Sequence, residues 1–358
     1  MRLEKRNATS RTALALAPAG AILFTLAISA LLVLWAGAPV GATYALLVKG
    51  GFGSVFALSE TFTRAIPLML TGLAAAVAFR ARLFNIGAEG QLYAGALAAV
   101  AVGGLHGGTG FELSPWLLMP LMMLAAALAG AVLLLGPALM KTRLGVDEVV
   151  TTLLLNFVVV LAVSWLLDGA MKDPMALGWP QSVALQDALQ FDKLVAQTRV
   201  HTGLLLALAL AIAIWTLLKY TVLGFDIRAL GANARAGAFA GVPVTRTLVL
   251  VSLLSGGLAG LAGAFEVAGR TAYVTLDMSP GYGYSGIVIA MLAGLHPLGV
   301  VVASVFVAGI LVGADSMSRA IGVPTYIADV IVATSLISVL VATLLTQYRV
   351  RWTQRWKA

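Results

Sequence analysis

"PLMLTGLAAAVAFRARLFNIGAEGQLYAGALAA" (residues 67–99) is two apolar runs joined by a short polar hinge. The first run covers about 65–80 and the second about 86–103, and each reads as a membrane-crossing helix, the first of them short. The hinge carries Arg80 and Arg82, and the second run opens with Asn85, Glu89 and Gln91. A carboxylate deep in a bilayer costs several kcal/mol on insertion scales, so Glu89 is expected to face protein or a water-filled cavity.

The pattern recurs along the chain. Of 358 residues, 60% are hydrophobic and 11% charged, against roughly a quarter charged in a soluble domain. Ten spans are expected, at about 13–36, 65–80, 86–103, 116–139, 149–167, 202–219, 247–268, 284–295, 298–314 and 326–346. The fold class is therefore an all-α integral membrane protein, one polytopic transmembrane domain over residues 1–358. The run after Arg2, Lys5, Arg6 and Arg11 is longer than a signal h-region and reads as a retained first span. Placing both termini in the cytoplasm puts 16 of the 23 Lys and Arg residues on the inner side and 7 on the outer, as the positive-inside rule expects. The same clustering at the ends of apolar runs makes the net charge of +8 a topology signal and not a nucleic-acid one.

Spans 2–5 and 7–10 form two groups of four, offset by five, so equivalent helices cross in opposite directions. Such an inverted repeat is a common way to build alternating-access transporters. Two segments are longer than turns. The outer loop, 168–200, carries Val183, Leu185, Leu189 and Leu194, and reads either as a short helix on the membrane surface or as a lid packed on the bundle. The inner loop, 220–246, is too apolar for a linker, and a short helix is expected near Ala234–Ala240, between Gly231 and Gly241 with Pro243.

Several chemistries are excluded or disfavoured. With no cysteine there are no disulfides or thiolate sites, and His106, His201 and His296 have no zinc-ligand spacing. "GYGYSG" places Gly281, Gly283 and Gly286 at dinucleotide-fingerprint spacing but follows "LDMSP" and enters a span, so it reads as close-packed backbone at a helix entry. No P-loop sequence occurs, and no cofactor is expected. Gly256–Gly260 and Gly309–Gly313 have the spacing of close helix packing. For Asn85, Glu89, Gln91, Asn156 and Glu266 two readings stay open: satisfying neighbouring backbone, with Asn85 capping span 3, or lining a polar translocation pathway.

Together, "FNIGAEGQ" (84–91), "RLGVDEVVTTLLLNF" (143–157), "GFDIRALGANARAGAFAGV" (224–242) and "SPGYGYSGIVIAMLAGLHPLGVVVASVFVAGILVGA" (279–314) resemble the inner-membrane permeases of bacterial ABC importers. The likeness is to the branched-chain amino acid and ribose permease superfamily, most of all its nucleoside (simple sugar type) members. His296 stands where a polar residue such as asparagine is expected. The resemblance implies that 220–246 is a coupling loop seated on a cytoplasmic ATPase, with Gly224, Arg228, Gly231, Asn233, Ala236, Ala240 and Gly241 matching the family pattern. It also implies a second related permease subunit, an external substrate-binding lipoprotein, and a nucleoside or, failing that, a simple-sugar ligand. ATP hydrolysis then belongs to the partner, and this chain is not itself an enzyme. A secondary carrier driven by ions through Glu89 and Glu266 is the rival of a different class, separable by whether an ATPase co-purifies.

Overall fold

The computed structural model describes residues 2–5, 11–35, 37–104, 114–322 and 348–351, with scattered positions between 326 and 341. The last expected span, 326–346, and His106 therefore fall mostly or wholly outside the described residues. Twelve α-helices are described: α1 Arg11–Trp35, α2 Val40–Phe52, α3 Val55–Arg80, α4 Ala88–Gly103, α5 Pro115–Leu144, α6 Glu148–Asp168, α7 Gly203–Tyr220, α8 Val222–Ala232, α9 Ala234–Phe239, α10 Val244–Glu266, α11 Tyr282–Leu292 and α12 Pro297–Ile321. Of these, α3, α5, α6, α7, α12 and α10 with the π-helical turn Val267–Thr271 that prolongs it are long and apolar enough to cross a membrane.

The helix ends follow from local sequence. Ser114 and Pro115 open α5, where proline's missing N–H loses nothing; Gly145, at φ +69°, closes it, with Lys141 and Arg143 against the negative end. Asp147 caps α6 by accepting from Val149 N at 2.8 Å.

The chain divides into two compact units, residues 1–57 with 309–358, and residues 58–308. In the first, α1 and α2 meet at 115°, and a Cβ at Gly313 would overlap the backbone at Leu47, so α2 packs closely on the end of α12. A four-residue antiparallel pairing of Arg2–Lys5 with Tyr348–Arg351 also lies here, a small departure from an all-helical reading.

In the second unit α3 and α10 are enclosed, while α5, α6 and α7 expose most of their apolar surface. The core is the crossing of α4, α5 and α10. A Cβ at Gly260 would overlap the Ala126 carbonyl, and one at Gly130 the Gly256 carbonyl. Gly256–Gly260 is thus a packing face, as its spacing suggests: in lipid, where apolar side chains gain little by leaving the solvent, backbone proximity is what holds helices together.

The segment between α6 and α7 has no surface helix. Apart from a single 3-10 turn at Asp187–Leu189, it is irregular backbone pinned to the end of the unit. Ser182 N donates to Val274 O (3.0 Å), Leu185 N to Ala272 O (2.7 Å), Gln186 N to Gly103 O (3.0 Å) and Phe191 N to Ala268 O (2.8 Å). Leu185 and Leu189 are fully buried over Gly103. Arg199 pairs with Glu60 of α3 at 3.2 Å. The lid alternative therefore replaces the amphipathic helix: backbone partners on α4 and beyond α10 outweigh the weak helical spacing of these leucines. Leu194, at 38% exposed, is outside that seal.

Candidate functional site

Helix α3 ends at Arg80, and the chain runs without helix to Gly87, the N-cap of α4. Every N–H and C=O of such a segment inside an apolar bundle needs a partner. Helix α6 supplies them from one face, through Glu148, Thr152 and Asn156 at four-residue spacing. Phe84 N donates to Glu148 Oε1 (3.2 Å) and Ile86 N to Thr152 Oγ1 (3.2 Å). Asn156 Nδ2 donates to Ile86 O, and Asn156 Oδ1 accepts from Gly90 N, both at 2.9 Å. Glu148 is in turn ion-paired with Lys141, whose ammonium also donates to Arg82 O at 2.7 Å.

Asn85 and Gln91 face each other through two reciprocal amide hydrogen bonds of 2.9 Å. Asn85 Nδ2 also donates to Ser255 Oγ (3.0 Å), which donates onward to Ala74 O (2.8 Å), and Asn85 Oδ1 accepts from Gly87 N (3.0 Å). All four hydrogen-bonding sites of the Asn85 amide are used. Asn85 thus closes a turn ahead of the helix and is not its N-cap, which is Gly87. Ala74 lies about 9 Å from the end of α3 and Ser255 about 16 Å into α10, at ~1.5 Å per residue. Helix α4 accordingly begins inside the bundle.

A second helix begins the same way. After the π-helical turn Val267–Thr271, residues 272–281 return irregularly to α11, whose N-cap Gly281 sits at φ +81°. Glu89 Oε2 accepts from Gly283 N at 2.6 Å, so a carboxylate of α4 holds the positive end of α11. A Cβ at Gly283 would overlap the backbone of Glu89, so only glycine permits the approach. One turn along α4, Tyr93 OH donates to Leu276 O (2.5 Å) and accepts from Ser279 N (3.4 Å). Glu266, at the end of α10, pairs with Arg270 at 2.6 Å, and the same guanidinium donates to Tyr282 OH at 3.1 Å.

Asn85, Glu89, Gln91, Asn156 and Glu266 are all buried. The first four converge on the start of α4, and Glu266 joins them through Arg270, Tyr282 and the Gly283–Glu89 bond. Sequence reasoning missed Glu148, Thr152, Tyr93, Arg270 and Tyr282. The readable signal was spacing: 148, 152 and 156 put three polar groups on one stripe of an apolar helix, 89 and 93 do so on α4, and 266 and 270 are an i,i+4 pair.

Residues 57–342 match the family model described as branched-chain amino acid transport system / permease component. The chain belongs to this permease family. Among curated relatives, the permease is 34% identical to the guanosine ABC transporter permease protein NupP of Bacillus subtilis over 321 residues, 89% of this chain and 90% of the relative. It is 36% identical to the glucose ABC transporter permease protein TsgB13 of Haloferax volcanii, covering 87% and 83%. The nucleoside ABC transporter permease protein NupB of Lactococcus lactis is 29% identical, covering 90% of each. Among solved structures, an inward-facing putative metal-chelate type ABC transporter is similar at 15% identity and a TM-score of 0.43, covering 90% and 97%.

Where the hinge leaves the end of α3 in the permease's second unit, α8 and α9 form a compact corner. A Cβ at Gly231 would overlap the Arg80 carbonyl, and one at Gly224 the end of α7. Asn233 caps α9, its Oδ1 accepting from Arg235 N (3.0 Å) and Ala236 N (3.2 Å), and Gly241 turns the chain away at φ +89°. Helix α9 lies where the sequence indicates a short helix; α8 is an addition. Ala236, Ala240 and Arg228 are exposed, and Phe239 is 97% exposed, so α9 presents an apolar knob on a corner fixed by backbone contact.

Proposed function

We propose that this permease is the translocation subunit of an ATP-driven ABC importer in the bacterial inner membrane, carrying nucleosides by alternating access between the starts of α4 and α11. The observation that carries the reading is the pair of interrupted helices. Both are short, both begin in the bundle interior, and they are joined by the Glu89–Gly283 hydrogen bond. Interrupted helices at corresponding positions of two repeats mark transporter binding sites, and α4 and α11 are the third and eighth spans of the proposed inverted repeat. Adding α1, α4 and α11 to the six long helices gives nine spans among the described residues, and the span expected from sequence at 326–346, which lies mostly outside them, would make ten with both termini cytoplasmic; α2 is then a bent extension of the first.

The amides of Asn85, Gln91 and Asn156 suit an uncharged, hydroxyl-rich ligand, because they exchange hydrogen bonds without a counter-ion. Tyr284, its hydroxyl held by Asn156 Nδ2 (3.2 Å) and its ring 41% exposed, offers a face for a nucleobase. Two relatives named for guanosine or nucleoside support this ligand class. The relative named for glucose, at 36% identity, favours the second reading, a simple sugar. The corner at α9 is the proposed seat of a separate ATPase, with Phe239, Ala236 and Ala240 docking and Arg228 nearby. A second related permease subunit and an external binding lipoprotein complete the proposed assembly.

The test is ATP-dependent uptake by the reconstituted assembly of labelled nucleosides against labelled glucose and ribose. Nucleoside uptake requiring both ATP and this chain is the expected result. Uptake driven by an ion gradient without an ATPase would overturn the reading, and ATP-dependent sugar uptake alone would select the second ligand class.

A further inference from the structure

Beside the α7–α8 corner lies a cavity of about 250 Å³ whose walls include Arg80, Lys219, Arg228, His296 and Trp215. No acidic side chain lines it, and among the described residues none of the three cations has an ion pair. Like charges gathered round one cavity repel one another, so the arrangement is costly while empty of an anion. Two of the cations are held in place. Arg80 donates to Leu295 O at 2.9 Å, and the Lys219 ammonium lies 4.9 Å from the ring centroids of both Trp215 and Tyr220. The cavity sits at the end of α7, whose exposed surface is apolar, next to a Trp and Tyr of the kind that settle at headgroup level.

We infer that this cavity binds the phosphate headgroup of an anionic phospholipid, which braces the ends of α3 and α7 against α8. A basic pocket between membrane helices at the cytoplasmic surface is the expected form of such a site. The chemistry recognised is a phosphate ester anion. The lipid is the favoured source because Trp215, Leu218 and Lys219 of α7 line the cavity and the exposed surface of α7 is apolar. An acidic side chain of the ATPase is the competing occupant, because Arg228 of α8 lines the cavity and also borders the proposed ATPase seat, although no residue of α9 itself lines it. The inference rests on α7 crossing a membrane with this end at the cytoplasmic surface, as in the proposed topology, and is independent of the ligand carried.

The experiment is native mass spectrometry of the purified full chain with phosphatidylglycerol, cardiolipin and phosphatidylcholine, repeated with inorganic phosphate and glycerol 3-phosphate as competitors. Arg80 is left intact because it also bonds backbone. The test variant is Lys219→Gln with Arg228→Gln, and the control, Arg143→Gln with Lys193→Gln, removes two exposed cations elsewhere. The expected result is retention of anionic lipid by wild type and control, weakened about 10-fold or more in the test variant, at two lost cations near the surface. Equal loss in both variants would reduce the effect to net charge and overturn the site. So would no preference over phosphatidylcholine, displacement by free phosphate at comparable concentration, or loss of the lipid when the ATPase partner is added, which would assign the cavity to a partner carboxylate.

Discussion

Replacing Glu89 separates two roles that the geometry superimposes. The Gly283 N–H sits in the first turn of α11 and its acceptor is Glu89 Oε2 at 2.6 Å. A hydrogen bond to an ionised acceptor contributes about 1.5–3 kcal/mol and a neutral one about 0.5–1.5, so Glu89→Gln is expected to cost about 1–1.5 kcal/mol. Glu89→Ala leaves the N–H unpaired in the bundle and removes the charge from the helix end, for about 2–4 kcal/mol in total. Thermal unfolding of the purified permease in detergent measures the difference, and uptake by the reconstituted assembly measures function. The expected pattern is a small loss of stability in Glu89→Gln with uptake reduced tenfold or more, and a larger loss of stability in Glu89→Ala. An alanine variant as stable as wild type would refute the structural half of the argument. A glutamine variant with full uptake would refute the pathway half.

Three other outcomes follow from the same geometry. Gly283→Ala should separate α11 from α4 and destabilise by about 1–3 kcal/mol, visible as a lowered unfolding temperature; an unchanged one would mean the helices do not meet there. Ala236→Asp places a charge beside the exposed Phe239 and should abolish ATPase association while leaving the unfolding temperature unaltered; normal association with normal uptake would move the contact elsewhere. His201 is buried, stacks on Phe191 with ring centroids 5.4 Å apart, and its Nδ1 makes no hydrogen bond among the described residues. Burial pulls its pKa from 6.5 down to about 4, so the unfolded chain binds more protons between those values. Stability should be full above about pH 6.5 and fall as pH drops toward 4, by up to roughly 3 kcal/mol. His201→Phe should flatten that part of the profile, and an unaltered pH dependence in the variant would assign it to other groups.

The long apolar helices were legible because lipid leaves a helix few alternatives, and the glycine faces because their spacing has one efficient use in a bilayer. What escaped was structure whose cause is a partner distant in sequence. The first half of α3 lies ahead of the span expected at 65–80 and carries Ser59, Glu60, Thr61, Thr63 and Arg64 within six residues, yet it is helical, with Glu60 paired to the distant Arg199 and Thr63 Oγ1 donating to the Ser59 carbonyl one turn back. Helix α2 has no counterpart among the expected spans because Lys49 and three glycines, Gly41, Gly50 and Gly51, interrupt its apolar character. The segment between α6 and α7 stays open between lid and surface helix in the sequence because four-residue spacing of Leu185 and Leu189 is as compatible with two inward-pointing residues of an irregular segment as with a helix. In the candidate site, that Asn85, Glu89 and Asn156 must be buried and satisfied was readable. That they are satisfied by the starts of two interrupted helices was not, because an irregular segment entering a bundle looks in sequence like any short break between spans.

The most direct test of a pathway between α4 and α11 uses the absence of cysteine from the chain. Ser255, fully buried and bonded to Asn85, is replaced by cysteine, and its reaction with a membrane-impermeant thiol reagent is followed in the reconstituted assembly with and without ATP and guanosine. The account predicts labelling in one nucleotide state, slowed by guanosine. Labelling absent in every state, with transport intact, would contradict it.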